Sequence, residues 1–319
     1  MKYTRLGRTG VSVSKLCFGT MSFGGDADQA MSGKMYAACR DAGINFFDCA
    51  NVYSAGRSEE ILGRLIAHER DEIVLTSKVG HGPSPSQRGL SPRHIQMAVD
   101  ASLKRLGTDR LDVLFVHRWD EHTPMEESLR ALENIVRQGK ALSLGVSNWA
   151  AWQIARAIGI SAHNHWARFD VVQPMYNLVK RQAEVEILPL ALSENLAVTP
   201  YSPVGGGLLS GKYRNTESQG RIRANPEYVS RYSPGWMFDS AAAFAEFAEN
   251  HGHHPVSLAV AWVAAHPAIT APLIGARDTE QLAPSLAALD VPMTDALYTE
   301  ISDLSPTPPP ATDRLEEQK

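Results

Sequence analysis

An α/β protein built on an all-parallel sheet is what this sequence predicts, on two observations. Short apolar runs rich in β-branched residues recur eight times along the 319 residues, and helical patterns separate them for most of the length. Strands covered on both faces read as such runs, and repetition of this kind implies either a closed (β/α)8 barrel or a doubly wound sheet.

The runs are LCFGTM from Leu16, NFFD to Asp48, EIVLTSK to Lys78 and LDVLFVH to His117, followed by ALSLGVSN to Asn148, FDVVQ to Gln173, LAVTPYS to Ser202 and ITAPLIG to Gly275. A helix from Gln29 to Ala42 stops at Gly43, a residue suited to a C-terminal cap. Ser91-Pro92 forms an N-cap followed by proline at the first helical position, with Ile95, Val99, Leu103 and Leu106 recurring at helical spacing. Another helix starts at Thr123-Pro124 and carries Leu129, Leu132, Ile135 and Val136. Ahead of the first run, KYTRLGRTGVSVS reads as a hairpin turning at Arg8-Thr9-Gly10. Residues 214–235 read as a long polar and aromatic loop without a period, and the tail from Ser305, rich in proline, as disordered.

Hydrophobic residues are 44% and charged residues 21% of the chain, an ordinary globular composition. A net charge of −4 argues against a nucleic-acid partner. The N-terminus lacks an apolar signal region, and the apolar stretch 258–274 is broken by His266, Pro267 and Pro272, so no membrane span is expected. Three cysteines, Cys17, Cys39 and Cys49, without metal-ligand spacing suit a reducing cytoplasm.

Three neighbouring predicted strands end in Asp48, Lys78 and His117, and Tyr53 follows the first by five residues. In a barrel the C-terminal strand ends carry the active site. At about 4.8 Å between strands, these ends converge on a space roughly 10 Å wide. Buried Asp48 and Lys78 would have to pair. A tyrosine with a pKa near 10 is a weak acid, and a lysine beside it favours the phenolate, while the aspartate keeps the lysine charged and aimed. A neutral His117 would orient a carbonyl oxygen. Such a set delivers a proton to oxygen, and the hydride for carbon must come from a cofactor.

INFFDCANVYSAGRSEEILG, IVLTSK, DVLFVHRWD, LSLGVSN, VTPYSPVGGGLLSGKY and IGARDTEQL closely resemble the aldo-keto reductase superfamily, in order from about Tyr3 to Leu289. The sequence is most similar to bacterial members related to potassium-channel β subunits. The resemblance implies one (β/α)8 TIM-barrel domain over 1–319, with an N-terminal hairpin and a long loop insertion before the last βα units. It implies NADPH (NADP+), rather than NADH, reducing an aldehyde or ketone, and a tetrad of Asp48, Tyr53, Lys78 and His117. Ser147, Asn148 and Gln173 would hold the carboxamide, and Tyr201 would stack on the nicotinamide. Ser202, Pro203 and Gly205 to Leu208 would pass the pyrophosphate. Arg277, after Gly275, would pair with a 2′-phosphate, and Gln281 would meet the adenine. Where the family often has Glu-Asn after that glutamine, this chain has Ala283-Pro284-Ser285, which loosens the adenine end. Such barrels occur as monomers and as homo-oligomers.

Met21, Trp119 and Trp149 lie just past strand ends, where they would wall a substrate pocket or pack the rim. Arg221, Arg223 and Arg231 would meet an anionic substrate or only solvate their loop. Tyr176 and Lys180 copy the short-chain dehydrogenase pair, but no G-x-G-x-x-G exists. GGLLSGKY from Gly206 nearly matches a P-loop, yet Tyr213 stands where a magnesium-binding hydroxyl belongs. His163, His165, His251, His253 and His254 have no carboxylate or cysteine nearby to complete a metal site. The rival readings are an NADPH-binding regulatory subunit that turns over slowly and a Schiff-base aldolase using Lys78.

Overall fold

The computed structural model describes residues 1–82, 84, 88–214, 218–314 and 316. Two strands, β1 (Tyr3–Arg5) and β2 (Ser12–Ser14), form the antiparallel N-terminal hairpin, with Thr4 opposite Val13. The next eight strands are parallel: β3 (Cys17–Gly19), β4 (Phe46–Asp48), β5 (Val74–Val79), β6 (Leu111–Val116), β7 (Ala141–Ser147), β8 (Phe169–Gln173), β9 (Ala197–Val198) and β10 (Leu273–Ile274). They follow one another in the sheet in sequence order, with β10 pairing back onto β3. Between the last two, Thr270 N donates to Val198 O at 2.9 Å and Leu273 N to Pro200 O at 2.8 Å. Those bonds close the barrel, so the predicted barrel and hairpin are present and the doubly wound alternative is not.

Helices α1 (Gln29–Asp41), α2 (Arg57–Ile66), α3 (Pro92–Leu106), α4 (Met125–Arg137), α5 (Ala151–Asn164) and α6 (Ile187–Glu194) fill the crossovers. Their starts follow local chemistry. Asp28 accepts from Met31 N at 2.8 Å at the head of α1, and Ser91 accepts from His94 N at 3.3 Å before Pro92. The segment read as an aperiodic loop holds two short helices, α7 (Arg221–Ala224) and α8 (Pro226–Arg231), which corrects that reading. Asn225 caps α8 by accepting from Glu227 N at 3.0 Å, and proline follows it at the first helical position. Residues 215–217 of that segment lie outside the described residues. Helices α9 (Gly235–Asn250), α10 (Pro255–Ala265), α11 (Thr279–Leu286) and α12 (Asp295–Ser302) complete the outer layer.

The main core lies between sheet and helices, and a second cluster fills the lower barrel. There Leu6 and Val13 from the hairpin meet Phe46, Val74, Val113, Phe115, Val171 and Leu273. The hairpin therefore plugs the end of the barrel opposite the strand C-termini. Its turn depends on Gly7 (φ +53°), where an added Cβ would lie 2.7 Å from Ala197 N. At a left-handed φ with backbone that close, Gly7→Ala is expected to cost about 1–3 kcal/mol. Chemical denaturation would read this as a lower midpoint, and an unchanged midpoint would mean the turn does not bear on β9.

Candidate active site

Alternation along β5 sends Thr76 and Lys78 to one side and Ser77 to the other. Lys78 and Asp48 are buried, at 0% and 1% exposure. Lys78 Nζ pairs with Asp48 Oδ2, donates to Cys49 O at 2.9 Å and reaches Tyr53 Oη at 3.4 Å. The other aspartate oxygen accepts from Thr76 Oγ1 at 2.9 Å and Gln173 Nε2 at 3.0 Å. Asp48 thus binds partners from β5 and from β8, across the barrel. On the outer side Ser77 Oγ donates to buried Glu59 at 2.5 Å, and Arg105 pairs with the same carboxylate at 2.6 Å. Neither Thr76 nor Glu59 was singled out from sequence, although the period of two on EIVLTSK places Thr76 on the face of Lys78.

Burial pushes the Tyr53 hydroxyl up to about 12 and outweighs the opposite pull of Lys78. The expected net lowering by the lysine is therefore not what the folded protein has. At neutral pH the phenol therefore stays protonated. Burial pushes Lys78 down, but Asp48 more than reverses this, so the ammonium stays charged. His117 is held well below the usual imidazole range, first by burial and then by Lys78, His81 and Arg118. Its ring meets Tyr53 edge-on at 6.1 Å and His81 edge-on at 5.5 Å. Buried His117 Nδ1 has no hydrogen-bond partner among the described residues.

The residues expected to hold a nicotinamide cofactor gather beside this cluster. Ser147 Oγ donates to Gln173 O at 2.8 Å. Asn148 Nδ2 donates to His117 O at 2.9 Å, and Tyr201 Oη to Asn148 Oδ1 at 2.7 Å. Asn148 and Ser202 both adopt φ +59°, a left-handed conformation that is uncommon for residues other than glycine and costs more at serine than at asparagine. Gly205, Gly206 and Gly207 follow with φ of +62°, +66° and +95°. A Cβ on Gly206 would lie 2.8 Å from the Tyr228 ring, so the turn after Pro203 forms a cradle only glycine leaves open. Leu208 closes it as a buried residue. Gly275 adjoins β10, and Arg277 precedes the N-terminus of α11, where Asp278 caps Gln281 N at 2.8 Å and Gln281 accepts from Arg277 Nε at 3.5 Å.

Of the expected pocket residues, Met21 is 43% exposed at the mouth. Trp119 is half-buried and meets Trp149 edge-on at 4.7 Å. Trp149 is buried, forming an inner layer against Phe169 at 5.5 Å. Trp152, not foreseen, is 59% exposed and lies 6.3 Å from Trp119. Tyr176 is committed elsewhere, donating to Glu184 at 2.6 Å and stacking on Trp262. Among the described residues no cluster of histidine, cysteine or acidic side chains is arranged to hold a metal.

The fold together with the sequence relationships makes this an NAD(P)H-dependent oxidoreductase. The chain belongs to the aldo/keto reductase family, whose sequence profile matches residues 15–306. It is 35% identical to "Uncharacterized oxidoreductase YrpG" of Bacillus subtilis (strain 168), over 97% of this chain and 97% of that one. It is 36% identical to the "Probable voltage-gated potassium channel subunit beta" of Arabidopsis thaliana, covering 91% and 92%. It is also 33% identical to the versiconal hemiacetal acetate reductase of Aspergillus parasiticus, covering 92% and 94%.

Two stability outcomes follow from the buried charges. Asp48→Asn, which leaves the Lys78 ammonium unpaired, is expected to cost about 3–5 kcal/mol, and adding Lys78→Met should recover part of it. Equilibrium denaturation of the single and double variants would check this, and a double variant weaker than the single one would speak against it. The second outcome concerns His117, whose folded-state pKa is depressed. The unfolded chain therefore takes up a proton near pH 6.5 that the folded site refuses. Stability is full above that pH and declines as pH falls below it. His117→Gln should flatten the fall in melting temperature between pH 7 and 5; part of the slope will remain because burial depresses His81 and His266 too.

Proposed function

We propose that the protein reduces an aldehyde or ketone to the alcohol with NADPH, Tyr53 giving the proton. The observation that carries the reading is Lys78 Nζ held between Asp48 and Tyr53 Oη. Bound NADPH would supply hydride to the carbonyl carbon. Tyr53, protonated at neutral pH, sits to protonate the carbonyl oxygen. Lys78 stabilises the phenolate left behind, and Asp48 with Thr76 and Gln173 keeps the ammonium aimed. His117, neutral, donates a hydrogen bond that orients the carbonyl. The chain is well suited to hold the cofactor. Ser147, Asn148 and Gln173 take the carboxamide, Tyr201 takes the ring face, and the Ser202–Leu208 turn takes the pyrophosphate. A planar guanidinium at Arg277, beside a helix N-terminus, suits a 2′-phosphate.

The named reductases among the relatives support carbonyl chemistry. The plant channel β subunits support a second reading, an NADPH-binding regulatory subunit with slow turnover. The complete tetrad favours turnover over that reading. We also place the protein in the cytoplasm, as its three free, buried cysteines suggest. Among the described residues no helix is long and apolar enough to cross a membrane.

Loss of NADPH absorbance with a panel of aldehydes and ketones is the direct test. Tyr53→Phe should lower kcat by roughly a hundred- to ten-thousand-fold, with NADPH affinity, read by fluorescence, largely kept. Near-normal turnover by that variant would refute the acid assignment, and NADPH binding without turnover on any carbonyl would favour the regulatory reading. Arg277→Gln should raise KM for NADPH by about tenfold or more and shrink the preference over NADH. Equal effects on both cofactors would remove the 2′-phosphate role.

A further inference from the structure

One fully buried charge touches none of the tetrad side chains. Glu59, at 0% exposure, sits in the first turn of α2. A carboxylate in such a place is costly unless it is fully partnered. A helix that only had to cover the sheet would be as well served by an apolar side chain. Its two oxygens have different partners. Oε1 accepts from Ser77 Oγ on β5 at 2.5 Å, and Oε2 from Arg105 Nε on α3 at 2.7 Å. Ser77 stands between Thr76 and Lys78, the two residues of β5 that bind Asp48, with its side chain on the opposite face of the strand.

Arg105 in turn lies against the segment that carries the tyrosine. An added Cβ at Gly56, the last residue of the turn Tyr53–Gly56, would lie 2.8 Å from Arg105 Cδ. Within that turn Ser54 and Ala55 have φ of +50° and +56°. Serine and alanine hold such values only where their surroundings impose them. In front, the chain is held by the pairing of β4 with β5, which ends with Asn51 N donating to Lys78 O at 3.4 Å. Behind, it is held where it enters α2. There Ser58 Oγ donates to Thr20 O at 2.8 Å, Thr20 Oγ1 donates to Asp48 O at 3.0 Å, and Glu59 makes its two contacts. Tyr53 stands between these two anchors, and the rear one returns through Ser77 to the strand that bears Lys78.

We infer that Glu59 is a positioning residue for the proton transfer. One oxygen grips the strand that carries Lys78, and the other holds Arg105 against the turn that carries Tyr53. Together they keep the phenol within reach of the ammonium, 3.4 Å away. This rests on the reductase reading above and adds to it a residue that acts only through Tyr53.

Ser77→Ala is the deciding variant, because it cuts the tie to β5 and leaves Glu59 paired with Arg105. With the aldehyde that wild type reduces fastest, its kcat should fall about ten- to a hundredfold. KM for the aldehyde and the NADPH dissociation constant should stay within about threefold, since the loss lies in the chemical step. Glu59→Gln should lower kcat as well, since an amide cannot hold the guanidinium by charge. In a Tyr53→Phe background Ser77→Ala should cost nothing further, because the group being positioned is gone. Unchanged kcat in either folded variant overturns the proposal. So does an equal loss in the Tyr53→Phe background, which a merely structural role would produce. If Glu59→Gln does not fold, Ser77→Ala decides alone. If wild type reduces no carbonyl, the reductase reading is what fails. The positioning is then read without turnover, from the NMR signal of the Tyr53 Cζ carbon in isotope-labelled protein, assigned by its loss in Tyr53→Phe. A signal that Ser77→Ala moves upholds the role of Glu59, and an unmoved signal refutes it.

Discussion

Most of the site depends on one contact, the ion pair of Lys78 with Asp48. Neither charge survives alone in that environment, because burial of an unpaired ammonium or carboxylate is far more costly than any single packing gain. Pairing alone is also insufficient, since a carboxylate has more acceptor capacity than one lysine fills. Thr76 and Gln173 saturate the second oxygen, and Cys49 O accepts a further hydrogen bond from the ammonium. These partners come from β4, β5 and β8, which meet only when the barrel is closed. Closure by the bonds from Thr270 and Leu273 to β9 is thus a condition for a charged Lys78 under Tyr53, and the fold and the protonation state are one problem.

The barrel is asymmetric in where it tolerates strain. Seven described non-glycine residues have positive φ. His165 and Asn195 end helices α5 and α6, where a left-handed residue terminates the hydrogen-bond ladder. Asp313 lies in the C-terminal tail. The other four, Ser54, Ala55, Asn148 and Ser202, all lie in loops that leave strand C-termini at the mouth. At the opposite end the hairpin solves its one close approach with Gly7. Backbone strain that glycine would relieve is thus concentrated in loops at the mouth.

The strand series was readable because each run is short, β-branched and bounded, and because Asp48, Lys78 and His117 fall in the same phase at successive strand ends. The contact of Gln173 with Asp48 was not readable, since it joins residues 125 positions apart and exists only through closure. The net direction of the Tyr53 shift was missed for a related reason. Proximity to Lys78 can be inferred from spacing, but the larger effect is burial, which is set by every wall of the pocket. Helices α7 and α8 escaped because a helix of four or six residues has no period to detect, although Asn225-Pro226 carried a cap signal that could have been used. Trp149 followed the same logic. Its position past a strand end placed it at the rim, while its depth beneath Trp119 is a packing outcome.

The two kinds of charge at the mouth differ in how much freedom they have. Asp48 and Lys78 are locked by burial, so any change there is felt as stability before it is felt as chemistry. Arg118 is exposed and Arg231 half-buried over the Tyr228 ring, and neither has an ion-pair partner among the described residues. A substitution at either removes a charge without leaving an orphan in the core, which is the small penalty expected at surface positions. The inner pair is therefore held by burial and mutual charge, and the outer arginines by neither.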